Sequence, residues 1–305
     1  MTAPADLASL LATGEHAAFH GKPAAAVGAL EQAVVLAQSQ GQAAEMAAAA
    51  WLLGVALGAG GRYGGALTVL SPLVESGSAS GAPADQRLFA ALASSTIASV
   101  HRQLGRHAVA READTSAFAL AAGAPEAVFD AELGLASDAV GLEDLDEALR
   151  RLEAAAALVP DSGEWWRQRV RLGWGRAEVA LLEGRTDDAV DLAQTAVDAA
   201  EQARAPRHVA KGLLILGLAR VSSADDEAVP TLRRAATLAE SLGTVPLVWP
   251  ARALLGALVA DSDAAESARS LAAARSAVLT IAADLPPGVR AEWLGRPDVA
   301  ALLEG

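Results

Sequence analysis

The chain has 305 residues, of which 52% are apolar and only 4% aromatic, and it carries a formal net charge of −13 with no cysteine. That apolar fraction supports a large buried core. The charge argues against general nucleic-acid affinity, which needs a basic footprint, and the missing cysteine excludes disulfides and thiolate metal sites.

Alanine, the strongest helix former and a residue that lets helices approach closely, dominates throughout, while β-branched runs of period two are scarce. The class expected is all-α. The opening MTAPADLASLLATG has no basic region before its apolar residues and does not read as a secretory signal. The longest apolar run, from Met46 to Gly61, is mostly alanine and glycine and falls short of a membrane span. A reducing cytoplasm fits these features.

In chain order, one pattern recurs about every 40 residues. It reads Gly21-Lys22-Pro23-x-x-Ala26, then Gly61-Arg62-Tyr63-x-x-Ala66, then Gly105-Arg106-His107-x-x-Ala110. A weaker form follows at Glu143-Asp144-Leu145-x-x-Ala148, a strong one at Gly184-Arg185-Thr186-x-x-Ala189, and another weak one at Ser223-Ala224-Asp225-x-x-Ala228. A seventh, vaguer unit begins near Leu255-Gly256. Each corner lies between two apolar stretches of helical spacing, such as Trp51, Leu52 and Val55 before it and Ala66, Leu67, Leu70 and Leu73 after it. Glycine opens the backbone at the corner, and the small residue that follows lets the second helix press on the first. The crowded glycines 58–65 have neither a preceding strand nor the spacing of a phosphate-binding loop, so they read as a turn.

Leu53-Gly54, Gly61-x-Tyr63-x-x-Ala66 and Leu70, with Leu145-x-x-Ala148, Leu152, Ala155 and the closing Pro160 in the fourth unit, resemble the tetratricopeptide repeat (TPR) family. The resemblance covers roughly residues 7–285. The period exceeds the family's usual 34 residues, and most units replace the turn tyrosine. It implies a right-handed superhelical solenoid of about seven antiparallel helix pairs over 1–285. Short helices over 286–305 then cap the array, with Trp293, Leu294 and Val299 covering exposed core. The tail and the long degenerate repeats are also similar to helical arrays of actinobacterial regulatory proteins.

No constellation points to catalysis. His16 and His20 lie one helical turn apart, but Ala17 stands where a zinc protease needs glutamate and no third ligand is apparent. Acidic clusters such as Glu143-Asp144 and Asp225-Asp226-Glu227 fall at helix starts, where carboxylates suit the positive end of the helix dipole. Neither metal nor cofactor is expected.

Residues 150–220 hold 11 of the 24 basic residues. Within them, Glu164 to Arg176 concentrates Trp165, Trp166, Trp174 and four arginines. On a helix, Trp166, Val170 and Trp174 share a face, and Arg167, Arg171 and Trp174 share an adjoining one. The next unit opens with Arg204, Arg207, His208 and Lys211. In the resembled family the first helix of each pair lines a concave groove. The expected partner-binding residues are therefore Trp51, Trp166, Arg167, Arg171, Trp174, Arg207 and Lys211, with Leu52 beside Trp51. The competing reading makes the tryptophans core and pairs the arginines with acids such as Glu164 and Glu178.

The resulting expectation is a non-catalytic scaffold or adaptor for a protein or peptide segment, acidic in character, with neither nucleic acid nor membrane as partner; a homo-oligomer is compatible with it. The alternatives are a peptide-sensing regulatory subunit acting with a separate effector and, last, an all-α enzyme. The chain has no asparagine and only two lysines, Lys22 and Lys211. It thus lacks the asparagines with which related regulators hold a peptide backbone. Repeats that start near residue 7 leave no room for a separate effector domain.

Overall fold

The computed structural model describes residues 6–121, 123–160 and 163–305. The first five residues, on which the reading of the N-terminus partly rests, lie outside these. Fourteen helices form seven antiparallel pairs. They are α1 (Leu7–His20) with α2 (Pro23–Gln40), α3 (Ala43–Ala59) with α4 (Tyr63–Gly77), and α5 (Ala84–Gln103) with α6 (His107–Leu120). Next come α7 (Pro125–Gly141) with α8 (Leu145–Ala157), α9 (Trp166–Leu182) with α10 (Thr186–Gln202), α11 (Pro206–Ser222) with α12 (Ala228–Leu242), and α13 (Val245–Leu258) with α14 (Ala264–Asp284). Two short helices follow, α15 (Pro287–Leu294) and α16 (Pro297–Glu304). The described residues contain no strand, and none of their helices is long and apolar enough to cross a membrane.

Five of the seven corners within pairs share one hydrogen-bond closure. The N–H of Arg62 donates to the Leu57 carbonyl over 2.9 Å, and Arg106 to His101, Asp144 to Ala139, Arg185 to Ala180 and Asp225 to Arg220 do the same within 2.8–2.9 Å. In each case the residue just before the donor is left-handed, as this helix stop requires. Those residues are Gly61, Gly105, Glu143, Gly184 and Ala224. In the sixth pair the corner thus turns on Ala224, one residue later than the alignment on Ser223 places it. Gly21 keeps an extended backbone instead, and Pro23 starts α2 in its place. Leu255-Gly256 is not a corner. It lies inside α13, where the missing side chain makes room for Leu271, and the chain turns after Leu258.

Contact inside a pair follows from small residues. A Cβ at Gly54 would collide with Leu70, one at Gly14 with Leu30 and one at Gly217 with Leu232. The leucines stand four residues after the small residue at each corner (Ala66 to Leu70, Ala26 to Leu30, Ala228 to Leu232) and are fully buried. The first helices also pack on one another, α1 on α3, α3 on α5, α5 on α7, α7 on α9, α9 on α11 and α11 on α13, so they form the inner layer.

The array curls until its ends meet. The start of α4 touches the end of α14, where the Gly65 N–H donates to Asp284 Oδ2 over 3.0 Å and Arg62 lies 3.9 Å from the same carboxylate. The backbones are so close that a Cβ on Gly64 would run into the Asp284 carbonyl. On the other side α1 touches α11; His20 Nδ1 lies 3.3 Å from the Arg204 carbonyl, and its ring packs on Trp166. Trp293 and Val299 are buried in one apolar cluster with Leu53, Leu57, Tyr63 and Leu104. Helices α15 and α16 therefore pack into the core of the second and third pairs as well as onto α14.

Gly61 combines a left-handed backbone (φ 81°) with crowding: a Cβ there would lie 3.2 Å from Val245 Cβ and from Ile281 Cγ1. Gly61→Val should destabilise the protein by about 2–4 kcal/mol, from backbone strain plus overpacking. Ala224→Gly should raise stability by about 0.5–1 kcal/mol by relieving the same backbone strain. Thermal and urea melts check both; an unchanged melting temperature in Gly61→Val contradicts this account of the corner.

Candidate functional site

The inner helices line a cavity of about 650 Å³ that is open to solvent, within the size range of ligand sites. All seven contribute to it. Phe19 comes from α1, Trp51 and Val55 from α3, and Thr96, Ser99, Arg102 and Gln103 from α5. Helix α7 supplies Asp130, Leu133, Gly134 and Ser137, and α13 supplies Leu247, Trp249 and Pro250. The basic wall is made by α9 and α11: Arg167, Arg171, Trp174 and Glu178 follow helical spacing on one, and Arg207, His208 and Lys211 on the other. Arg296 reaches in from the turn after α15, its guanidinium 5.0 Å from the Trp293 ring centre and 5.9 Å from that of Trp249, and donates to the Gln103 carbonyl over 3.1 Å.

Of the seven residues expected from sequence, Trp51, Arg167, Arg171, Trp174, Arg207 and Lys211 border this one cavity. Trp166 does not. Its ring lies behind the wall, edge-on to His208 at 5.0 Å and against His20 at 5.5 Å. Leu52 is buried in the apolar core beside Leu53. The Trp51 ring sits between Phe19 and Phe89, 6.5 Å from each, and its Nε1 donates to Thr96 Oγ1 over 3.2 Å.

The cations are not equivalent. Arg167 and Arg171 both pair with Asp130, a buried carboxylate on α7. Burial alone would raise the Asp130 carboxyl, but the two guanidiniums outweigh it and hold the group below its usual range. Arg207 and Lys211 have no ion-pair partner among the described residues. Burial, with Arg167 and Arg171 adding repulsion, pushes Arg207 down to about 10. Burial also lowers Lys211, opposed by Glu178. Lys211 Nζ sits 4.8 Å above the Trp174 ring, which stacks on His208 with centroids 5.6 Å apart. His208 is held neutral, first by burial and then by Arg207.

A second polar cluster lies behind Arg102. Its guanidinium pairs with Asp114 of α6, and with Asp138 of α7 over 3.0 Å; both carboxylates are fully buried. Gly134 leaves room for Asp114, since a Cβ there would collide with the carboxylate. Asp114 stands four residues after Ala110, the place that Leu30, Leu70, Leu152 and Leu232 take in their own pairs. That substitution of an acid for a core leucine is the sequence signal for this cluster. Burial and the neighbouring Asp138 push Asp114 up to about 7 against the pull of Arg102.

His16 and His20 stack with centroids 5.4 Å apart. Among the described residues no group of three histidine, aspartate or glutamate side chains is arranged to hold a metal. Asp144 caps α8 by accepting from the Glu147 N–H over 3.1 Å, and Asp225 accepts from the Glu227 N–H over 2.9 Å.

No protein-family model and no curated protein matches the chain. Solved structures do. A Rap conjugation gene regulator of plasmid pLS20, in complex with the Phr* peptide, aligns with a TM-score of 0.70 at 16% identity, over 95% of this chain and 77% of its own. A Rap protein complexed with competence and sporulation factor aligns with 0.67 at 12%, over all of this chain and 88% of its own. A signal-transduction ATPase with a TPR sensor from Pyrococcus horikoshii aligns with 0.53 at 12%, over 92% of this chain but 42% of its own. At these identities the likeness establishes the fold, a TPR-like helical-repeat solenoid.

The buried acid pair makes stability depend on pH. The unfolded chain releases the Asp114 proton near 4, whereas the folded protein keeps it to about 7. Lowering the pH from 8 to 5 thus adds a proton to the folded state alone and stabilises it. Relative to Asp114→Asn, the wild type should gain about 1–2 kcal/mol over that interval. Urea melts of both proteins at the two pH values measure it; a constant difference refutes the raised carboxyl.

Proposed function

We propose that the protein is a non-catalytic, peptide-binding helical-repeat protein whose ligand lies inside the cavity. The observation that carries this reading is the convergence of all seven inner helices on one 650 Å³ cavity, with aromatic, hydroxyl and cationic side chains lining it. Aromatic and arginine side chains are the usual anchors of binding hot spots. The two Rap structures that share the fold were each solved with a bound peptide or factor, which supports a peptide as ligand. The proposed contacts are Trp51, Arg167, Arg171, Trp174, Arg207 and Lys211, with an acidic segment as the best electrostatic match. Hydroxyls and amides such as Thr96, Ser99, Gln103 and Ser137 take the backbone-holding part that asparagine plays elsewhere. The site of action is the cytoplasm. The likeness of the long repeats to actinobacterial regulators rests on sequence resemblance.

The second reading, a regulatory subunit that passes a peptide signal to a separate effector, is favoured by the seams between distant repeats. Contacts such as Gly65 to Asp284 and His20 to Arg204 join repeats distant in the chain around the cavity. A ligand that stabilises one setting of these seams shifts the population of shapes an effector meets. Catalysis has little support: the buried acid pair of the described residues, Asp114 with Asp138, lies behind Arg102 and does not border the cavity.

Arg171→Glu is a poor probe of binding, because it sets a second carboxylate against buried Asp130. Ser99 is exposed into the cavity. Ser99→Trp should fill part of the space and leave folding intact. A random pentapeptide pool passed over immobilised protein should yield bound peptides by mass spectrometry, and Ser99→Trp should retain at least tenfold less, about 1.4 kcal/mol. A pool that is not retained, or is retained equally by the variant, contradicts the proposal.

A further inference from the structure

Four polar groups on the wall of α9 and α11 lack partners within the described protein. Arg207 and Lys211 have no carboxylate within ion-pair range. The buried Nε1 of Trp174 and the buried Nδ1 of His208 have no hydrogen-bond partner. Trp174 is 8% exposed and His208 4% exposed, and all four residues border the cavity. Their mutual placement is fixed by stacking: Trp174 on His208, and Lys211 over the Trp174 ring. The two ring nitrogens are closed off inside the wall, so the groups that face the cavity without a partner are the two cations, Arg207 and Lys211, and a partly buried unpaired cation marks a place for an anion.

We infer that this wall is the seat of a carboxylate of the ligand, gripped by Arg207 and Lys211. The charge count selects an anion. Asp130 already engages Arg167 and Arg171, and Glu178 is the acid nearest in effect to Lys211. Arg207 is left with only cations acting on it. Four cations thus meet two acids, so the wall keeps an excess of positive charge, and a peptide, the ligand class proposed for the cavity, brings its negative charge as carboxylates. The planar guanidinium matches a carboxylate with two parallel hydrogen bonds. The carboxylate belongs to a small organic acid, to the end of a peptide, or to an acidic side chain in one.

This inference rests on the cavity being a ligand site, and its test separates it from the peptide reading. An unpaired, half-buried cation weakens the ligand-free protein, so Arg207→Gln should melt at a higher temperature than the wild type. A purely structural arginine gives the opposite sign. Acetate and succinate should raise the melting temperature of the wild type and leave Arg207→Gln and Lys211→Met unmoved. Random N-acetylated pentapeptides with free C-terminal carboxylates should be retained at least tenfold more by wild type than by either variant. The same pool as C-terminal amides assigns the source. Loss of retention marks the peptide terminus, and retention restricted to peptides with Asp or Glu marks a side chain. If acetate or succinate protects but neither pool binds, the seat stands and the peptide reading falls. If peptides bind wild type and both variants alike, or inorganic phosphate protects more than the carboxylates, the seat is wrong.

Discussion

Backbone-to-backbone contact between the start of α4 and the end of α14 decides the shape of this protein. Gly64 has no room for a side chain against the Asp284 carbonyl, and the Gly65 N–H is satisfied by the Asp284 side chain. Without that approach the seven pairs would form an open arc with a shallow inner face. With it, the second and seventh pairs meet, Trp293 enters the core of the second and third pairs, and the inner helices converge on one cavity. Alanine at the buried positions of nearly every helix allows the tight curl, because helix axes approach closely only where side chains are small.

Closure also explains the electrostatics. The chain is acidic overall, yet its inner wall gathers Arg102, Arg167, Arg171, Arg207, Lys211 and Arg296. Such crowding is tolerable because buried acids neutralise part of it: Asp130 takes two arginines, and Asp114 with Asp138 takes Arg102. What remains unneutralised is shared by α9, where two arginines divide one carboxylate, and by Arg207 on α11, on which only cations act. The fold thus stores unfavourable electrostatics at one place, and a ligand can relieve them.

Much of the fold was legible because it repeats. The corners at Gly61, Gly105 and Gly184 declare themselves by glycine plus a small residue five positions later, and the phase carries the reader to Glu143. Gly256 misled because a glycine that spares space for Leu271 looks, in sequence, like one that bends the chain. Ala224 misled because a left-handed alanine leaves no mark in composition. In the candidate site, helical spacing was enough to bring Arg167, Arg171 and Trp174 onto one face, but Trp166, one step round the helix, fell behind it. Pairing was not legible. Asp130 meets Arg171 across 41 residues of chain, and only the packing of α7 on α9 brings them together. Asp114 was legible in principle, as an acid in a leucine position of the repeat. Closure itself was hidden, since nothing local links Gly64 to Asp284.

The absence of native cysteine permits a direct test of closure. Thr68 and Thr280 are exposed, and each lies four residues from the Gly64–Asp284 contact, roughly 6 Å along its helix. Spin labels on cysteines placed at these two positions report the separation of the second and seventh pairs by electron–electron double resonance. A closed array predicts one narrow distribution at short range, within about 30 Å on that helical rise. A broad distribution centred well beyond it means that the second and seventh pairs do not meet, and the cavity with its unpaired cations would lose its basis.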